Sequence, residues 1–551
     1  MKIRKMTILS ARGGLVTIIL FSGFITRDND IYLEINKSID IFGRVYKEVA
    51  LNYVEPLNPE EFMLAGINGM LNSLDPYTNF IDENQQKDID IITKGKYGGI
   101  GASVGVRNDD ITIVDLIEGY SAQRQGMRIG DIITKINNTT VSKENVDSLS
   151  ELLKGDPGST VKVIVKREAN TELIIFNLIR EEIEVKNVSY FGFIPEESNN
   201  AYIKLSGFSR SAGEEMKKTL LELKSQKEIK SVILDLRGNP GGLLDAAIDV
   251  SEKFLKKGQT VVSVRGRDSL SIKNYLATEE PILSNTNMIV LIDEGTASAS
   301  EIVSGAIQDH DRGVVVGTNS FGKGLVQTVL PLSFNTSLKI TTAKYFTPSG
   351  RSIQRVDYSE KNKVFGRSSS IKLKEFKTDG MRTVLSGGGI MPDTTVKNVS
   401  NSNFVQTLLA DGMFFKFATN FFNNNPNKDW KSSGPEILFR DFTSYLKSQK
   451  FDFVSRSEKL IGQLITAGLD ENVDKNFLDQ LEKVKSEINA NHTSELEKYK
   501  DDVLCEIKEE LSARTDGREG RIRESLKFDK QFLTSYQILR DQKKYRSLLR
   551  S

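Results

Sequence analysis

The spacing of apolar residues changes period several times along the chain. Between 31 and 90 the period is helical: Ile39, Phe42, Val45, Tyr46 and Val49 recur on one face, as do Phe62, Ala65, Ile67, Met70 and Leu71. The run Leu74-Asp75-Pro76-Tyr77-Thr78 breaks that pattern. From 95 to 183 alternation takes over, with Ala102, Val104 and Val106, then Ile111 to Leu116, then Val161 to Lys166; Val146 to Leu153 reads as a helix among these strands. Residues 200 to 345 alternate strand and helix. Strands are predicted at Tyr202 to Leu205, Val232 to Leu236, Ile289 to Ile292, Gly313 to Gly317 and Leu338 to Tyr345. Helical faces are carried by Met216, Leu220 and Leu223, by Ala246, Ala247, Val250 and Phe254, and by Ile302, Val303, Ala306 and Ile307. The polar stretch 357 to 378 reads as an insertion or hairpin.

Beyond 400 the chain is helical again. Phe404, Leu408, Leu409, Met413, Phe414 and Phe417 share a face, Gly434-Pro435 interrupts, and two stripes follow: Phe477, Leu481, Val484, Ile488, then Leu496, Val503, Leu504, Ile507, Leu511. Two readings stay open for this region: an appendage packed on its own core, or a surface for self-association or an adaptor. The helical stripe is interrupted at Asn489-Ala490-Asn491, too early for a long coiled coil. The pattern as a whole predicts a multidomain α/β + α protein, as expected for 551 residues.

Charge narrows the partners. With 75 basic and 74 acidic residues the net charge is +1, which gives no argument for nucleic acid. A single cysteine, Cys505, excludes an internal disulfide or a cysteine zinc cluster. At the N-terminus Lys2, Arg4, Lys5 and Arg12 precede an apolar run from Leu15 to Ile25, the order of an export signal. The run is shorter than the ~20 residues of a full span, and no Ala-x-Ala cleavage site follows. A cleaved signal and an uncleaved anchor through residues 13–26 both remain open. Either places the rest outside the cytoplasm, periplasmic or held at the inner membrane facing the periplasm.

The chemistry concentrates between Met288 and Leu332. A buried strand runs into Gly295-Thr296, then Ala297, Ser298, Ala299 and Ser300, and a helix begins at Glu301. A serine at that corner sits where free N–H groups and the positive end of a helix dipole could stabilise an oxyanion. Lys323 follows between two glycines in Phe321-Gly322-Lys323-Gly324. The histidines are two, His310 and His492, and His310 lies beyond the helix that Ser298 starts, so a Ser-His-Asp triad is poorly served. A lysine acts as a base if burial lowers its pKa, and Phe321, Leu325 and Val326 are apolar neighbours for it. Upstream, the strand Val232 to Leu236 ends in Arg237-Gly238-Asn239-Pro240-Gly241-Gly242, a glycine loop that matches neither nucleotide-binding signature.

The strings TASASEI, QDHDRG and FGKG, followed by Gln327, resemble the C-terminal processing peptidases, serine proteases with a Ser–Lys dyad. Tyr97-Gly98-Gly99-Ile100-Gly101 followed by Gly130-Asp131-Ile132-Ile133-Thr134-Lys135-Ile136-Asn137 resembles a PDZ domain, and Thr347-Pro348-Ser349-Gly350-Arg351 and Gly387 to Asp393 also match the family. The resemblance covers roughly residues 35 to 400. It implies an α/β protease core of the ClpP/crotonase-like type, with Ser298 as nucleophile, Lys323 as general base and Gln327 orienting the lysine. It implies oxyanion donors at Gly241 (with Gly242 and Gly238 as neighbouring alternatives) and Ala299, and a peptide-binding loop at Gly98, Gly99, Ile100 and Gly101. A reach of one helical turn from Lys323 suits Gln327.

The domains expected are then a signal or anchor over 1–27, a helical segment over 28–92, a PDZ domain over 93–185, the protease core over 186–400 and a helical domain over 401–551. The expected activity is cleavage of proteins recognised by their free C-termini, needing no cofactor and no metal. The alternative is a PDZ-based scaffold whose peptidase core is inactive or partner-dependent.

Overall fold

Why the strands between 188 and 395 form one sheet follows from their sequences. Each central strand is apolar on both sides of its pleat, which suits a parallel sheet covered on both faces. In the computed structural model these strands are β1 (Val188–Phe193), β2 (Asn200–Leu205), β3 (Ser231–Asp235), β4 (Asn287–Ile292), β5 (Val314–Gly317) and β6 (Thr394–Thr395). They lie side by side in chain order. The first pair is antiparallel and the rest are parallel. The structure describes residues 31–83, 85–86, 95–107, 110–142, 146–167, 172–267, 272–359, 369–397, 403–425, 428–451, 453–471, 473–490 and 492–550. The export signal expected over 1–27 lies outside these residues. No described helix is long and apolar enough to cross a membrane.

Strand alternation divides the core in two. Val232, Leu234, Met288, Val290, Ile292 and Val315 face the helices α1 (Ala212–Gln226), α2 (Leu244–Glu252) and α3 (Ala299–Asp309). Ile233, Ile289, Leu291, Val314 and Val316 face the other way. That second face is covered by the end of the helical region, through Leu526 and through α4 (Lys530–Arg540) and α5 (Gln542–Leu548), with Phe532, Ile538, Leu539 and Tyr545 buried against it. Phe532 meets Tyr202 edge-on at 5.6 Å. The Tyr545 hydroxyl lies 2.9 Å from the Met288 N–H and 3.1 Å from its carbonyl, in the middle of the sheet. Phe404 to Leu511 instead pack on one another in a core of their own, with Phe414 stacked on Phe442 at 5.0 Å. The region beyond 400 thus packs partly on a core of its own and partly, through its end, on the sheet.

The alternating segment before the sheet forms a small β-domain. Its strands are ordered 102–107, 110–116, 132–136, 160–166 and 174–179, with Ala102–Arg107 at the edge and the helix Val146–Leu153 beside it. Asp131 is almost fully buried and receives Arg167 at 2.7 and 2.8 Å, closing the base of the domain.

The described residues among 1–81, 329–340 and 358–367 form a separate compact unit. In it a helix over 31–52 packs on a helix Pro59–Asn72, Tyr46 stacks on Phe62 at 5.5 Å, and Asn79–Ile81 pairs antiparallel with Ser337 to Lys339. The predicted helices are present. Ile39, Phe42 and Val45, predicted as an inner stripe, are exposed in the single chain.

Candidate active site

Ser298 stands between β4 and α3 with φ 55° and ψ −113°. Such a backbone is costly for a residue with a side chain, on the order of 1–3 kcal/mol, and persists only where neighbours over-determine it. They do so here. The Ser298 N–H donates to Glu301 Oε2 at 2.8 Å. Its carbonyl accepts from the Glu301 and Ile302 N–H groups at 2.8 and 3.0 Å. The preceding Ala297 N–H donates to the Asn239 carbonyl at 3.0 Å. All eleven residues of α3 are buried, so the corner sits on a rigid post.

The same Glu301 carboxylate reaches the lysine loop. Oε2 also accepts from the Lys323 N–H at 2.9 Å, and Oε1 accepts from the Gly322 N–H at 2.7 Å and the Ser320 hydroxyl at 2.5 Å. Glu301 is 0% exposed. Burial pushes its carboxyl up to about 7, against the pull of the Ser320 hydroxyl and the N–H groups of Lys323, Gly322 and Ser298. A second link runs through Tyr345, whose buried hydroxyl lies 3.1 Å from the Ser298 carbonyl and 2.6 Å from the Lys323 carbonyl. The backbones of the expected nucleophile and base are therefore tied together twice. Sequence reading missed both ties, although Ser298-x-x-Glu301 has the spacing of a capping box.

Lys323 is half-buried, Leu325 is buried and Val326 packs against the core, while Phe321, expected to shelter the lysine, is exposed. Gln327 is not on a helix. It lies in the strand Leu325–Pro331, where four residues span about 13 Å, so the argument from one helical turn fails. Its Nε2 donates to Thr341 Oγ1 at 3.2 Å. His310 ends α3 at the opposite end from Ser298, with its ring nitrogens 2.7 Å from Asp379 Oδ2 and from the Thr260 carbonyl, a structural placement.

The glycine loop after β3 lies against this corner. A β-carbon on Gly241 would fall 2.8 Å from the Ala299 nitrogen and 3.0 Å from Ser298 Cβ, so a side chain there would fill the space beside Ser298. Gly241 has φ 97°, in the region that favours glycine. Its N–H donates to Asn239 Oδ1 at 2.9 Å, and Asn239 Nδ2 donates to the Leu205 carbonyl at 2.8 Å. As the loop stands, the Gly241 N–H is engaged inside the loop; serving an oxyanion requires it to share or exchange that partner.

In the β-domain, Gly98 and Gly99 belong to a short strand paired with Glu182 and Glu181. Ile100 is buried, and its carbonyl and that of Gly101 accept from Ala122 and Ile117. Gly101, with φ 77°, turns the chain into the edge strand.

A parallel sheet with a serine corner at one strand end, joined to an edge-open β-domain, defines a peptidase with a peptide-recognition module. Residues 199–360 match the Peptidase family S41 model, residues 98–178 the PDZ domain, and residues 404–539 a "probable PDZ-protease, C-terminal helical domain". The chain is 36% identical over 343 residues to the carboxy-terminal-processing protease of Bartonella bacilliformis, an alignment covering 62% of this chain and 77% of that one. It is 33% identical over 313 residues to a probable CtpA-like serine protease of Staphylococcus aureus strain MRSA252, covering 56% of this chain and 61% of that one. A photosystem II D1 C-terminal processing protease of known structure is similar at 25% identity with a TM-score of 0.36, over 68% of this chain and 94% of that one. The chain belongs to the carboxy-terminal-processing protease family and is a serine peptidase.

Proposed function

We propose that the protein is an exported endopeptidase, periplasmic or anchored to face the periplasm, that recognises protein C-termini through its PDZ domain and cleaves with a Ser298–Lys323 dyad. The observation that carries this is the shared Glu301 carboxylate, which accepts from the backbone N–H of both residues. In the proposed cycle Ser298 Oγ attacks the peptide carbonyl while neutral Lys323 takes its proton. The oxyanion is met by the Ala299 N–H and by the Gly241–Gly242 segment. Collapse breaks the C–N bond, and the lysine returns its proton to the leaving amine. Water, deprotonated by the same lysine, then hydrolyses the acyl-serine, and the lysine returns that proton to Ser298 Oγ as the acid departs. Gln327 acts from its strand, through side-chain reach. A peptide C-terminus would bind at Gly98 to Gly101 and continue as an added strand along Ala102–Arg107.

The test is cleavage of an unfolded protein by the wild type, Ser298→Ala and Lys323→Arg. Both variants should be inactive while folding normally, since arginine stays protonated. Appreciable turnover by either removes the dyad.

A further inference from the structure

The face of the sheet opposite α1–α3 is closed by α4 and α5, and most of that closure is apolar. Two polar residues at the head of α4 do not fit a purely apolar docking. Gln531 is 2% exposed, and both ends of its amide are bonded outside the helix. Its Oε1 accepts from Arg237 Nη1 at 2.9 Å, and its Nε2 donates to the Val396 carbonyl at 2.8 Å. Asp529 caps α4, accepting from the Gln531 and Phe532 N–H groups, and its other oxygen lies 2.6 Å from Arg237 Nη1.

These partners stand at the roots of the two loops that meet at Ser298. Arg237 is the first residue of the glycine loop. Its Nε and Nη2 clasp Asp235 at 2.9 and 2.6 Å, and Asp235 also accepts the Tyr202 hydroxyl at 2.6 Å and faces Lys204 at 3.5 Å. Two carboxylates thus face two cations, with Asp235 fully buried at the centre. From Arg237 the loop runs to Asn239, whose carbonyl holds the Ala297 N–H and the Ser300 hydroxyl on either side of the nucleophile. On the other arm the Val396 N–H donates to the Gly317 carbonyl at 2.9 Å. Gly317 ends β5, and the segment after it leads through Ser320 to Lys323. One amide side chain therefore bridges the root of the oxyanion loop and the root of the lysine loop.

We propose that Asp529 and Gln531, supplied by the C-terminal helical region, are positioning residues for peptide-bond cleavage: they lock Arg237 and Val396 and so fix the glycine loop and the lysine loop in register. This rests on the assignment of Ser298 and Lys323. A group that acts by holding catalytic loops should affect kcat with little effect on substrate affinity.

The experiment uses the full chain with Asp529→Ala, Asp529→Asn, Gln531→Leu, Gln531→Glu and Arg237→Ala, and the double variant Arg237→Ala with Asp529→Ala. Steady-state cleavage of a peptide with a free apolar C-terminus gives kcat and KM, and thermal melting monitors the fold. Asp529→Ala and Gln531→Leu should lower kcat at least tenfold with KM within about twofold. The near-isosteric Gln531→Glu keeps one bond of the bridge and should fall between Gln531→Leu and the wild type. The double variant should be no slower than Arg237→Ala alone, because Asp529 works through Arg237. Wild-type kcat in Asp529→Ala and Gln531→Leu would overturn the proposal. So would effects of Arg237→Ala and Asp529→Ala that multiply independently, or a kcat loss seen only in variants whose melting collapses. Cleavage by Ser298→Ala would overturn the dyad instead and leave the comparison of Asp529 with Arg237 standing as a separate result.

Discussion

Glu301 accepts four hydrogen bonds from groups that can only donate to it or are turned to do so, which requires the ionised form. Its raised pKa has two consequences of opposite direction. An unfolded glutamate ionises near 4.5 and the folded one near 7, so between those values the native state binds the extra proton. Glu301 therefore favours the fold most at low pH, and its contribution falls as pH rises to about 7, by about 3 kcal/mol in all. Activity moves the other way. Protonating Glu301 displaces one of its donors and loosens the tie between Ser298 and Lys323, and a lysine base also loses function when protonated. We predict that kcat rises through about pH 7, and a flat profile between about pH 5 and 9 would contradict it. Glu301→Gln should cut kcat about 100-fold, since its amide turns an N–H towards buried donors, and should flatten the pH dependence of melting between 5 and 7. Melts of the two proteins across that range are the check. Ser298 and Lys323 stand out in the sequence because short strings surround each one. Glu301 does not, because in sequence it is only the third residue of a helix.

Among the elements, the edge strand Ala102–Arg107 and the turn at Gly101 are where a peptide would add. A β-carbon on Gly101 would fall 2.3 Å from Tyr120 Cβ, and its φ is already strained for any other residue. Peptides with a free C-terminus should be cut faster than amidated ones. Gly101→Val should erase that preference while Ser298 still reacts with a small acylating probe. Equal rates for free and amidated peptides with the wild type would rule out the PDZ route. The helix α4 carries a prediction about stability. Phe532 is 3% exposed and packs edge-on to Tyr202, so Phe532→Ala should cost about 3–5 kcal/mol, read as a lower denaturant midpoint. Element types were readable wherever one period ran long, as in α3 and β4. Leu325–Pro331 escaped because a lysine-to-glutamine spacing of four fits a helix as readily as it fits a strand, and only its pairing with Ser337–Phe346 decides.

For the whole molecule the order of the strands is decisive. Successive parallel strands added in one direction put α1, α2 and α3 on the same face, as right-handed crossovers do. The other face then needs a cover from elsewhere in the chain, and α4 and α5 supply it. This was not legible in the sequence. Arg237 and Gln531 are nearly three hundred residues apart, and no local pattern pairs them. A chain ending at Ser525 should expose the face of Ile233, Ile289 and Leu291, bind a hydrophobic dye and precipitate.

Because α4 and α5 follow Ser298 and Lys323 in the chain, they are also made after them. Ser298 and Lys323 leave the ribosome some two hundred residues before Gln531 does. A chain interrupted before Asp529 would hold Ser298 and Lys323 above a sheet face that α4 and α5 do not yet cover. If Asp529 and Gln531 position the two loops as proposed, cleavage waits on their arrival, and a chain interrupted before them should cut poorly.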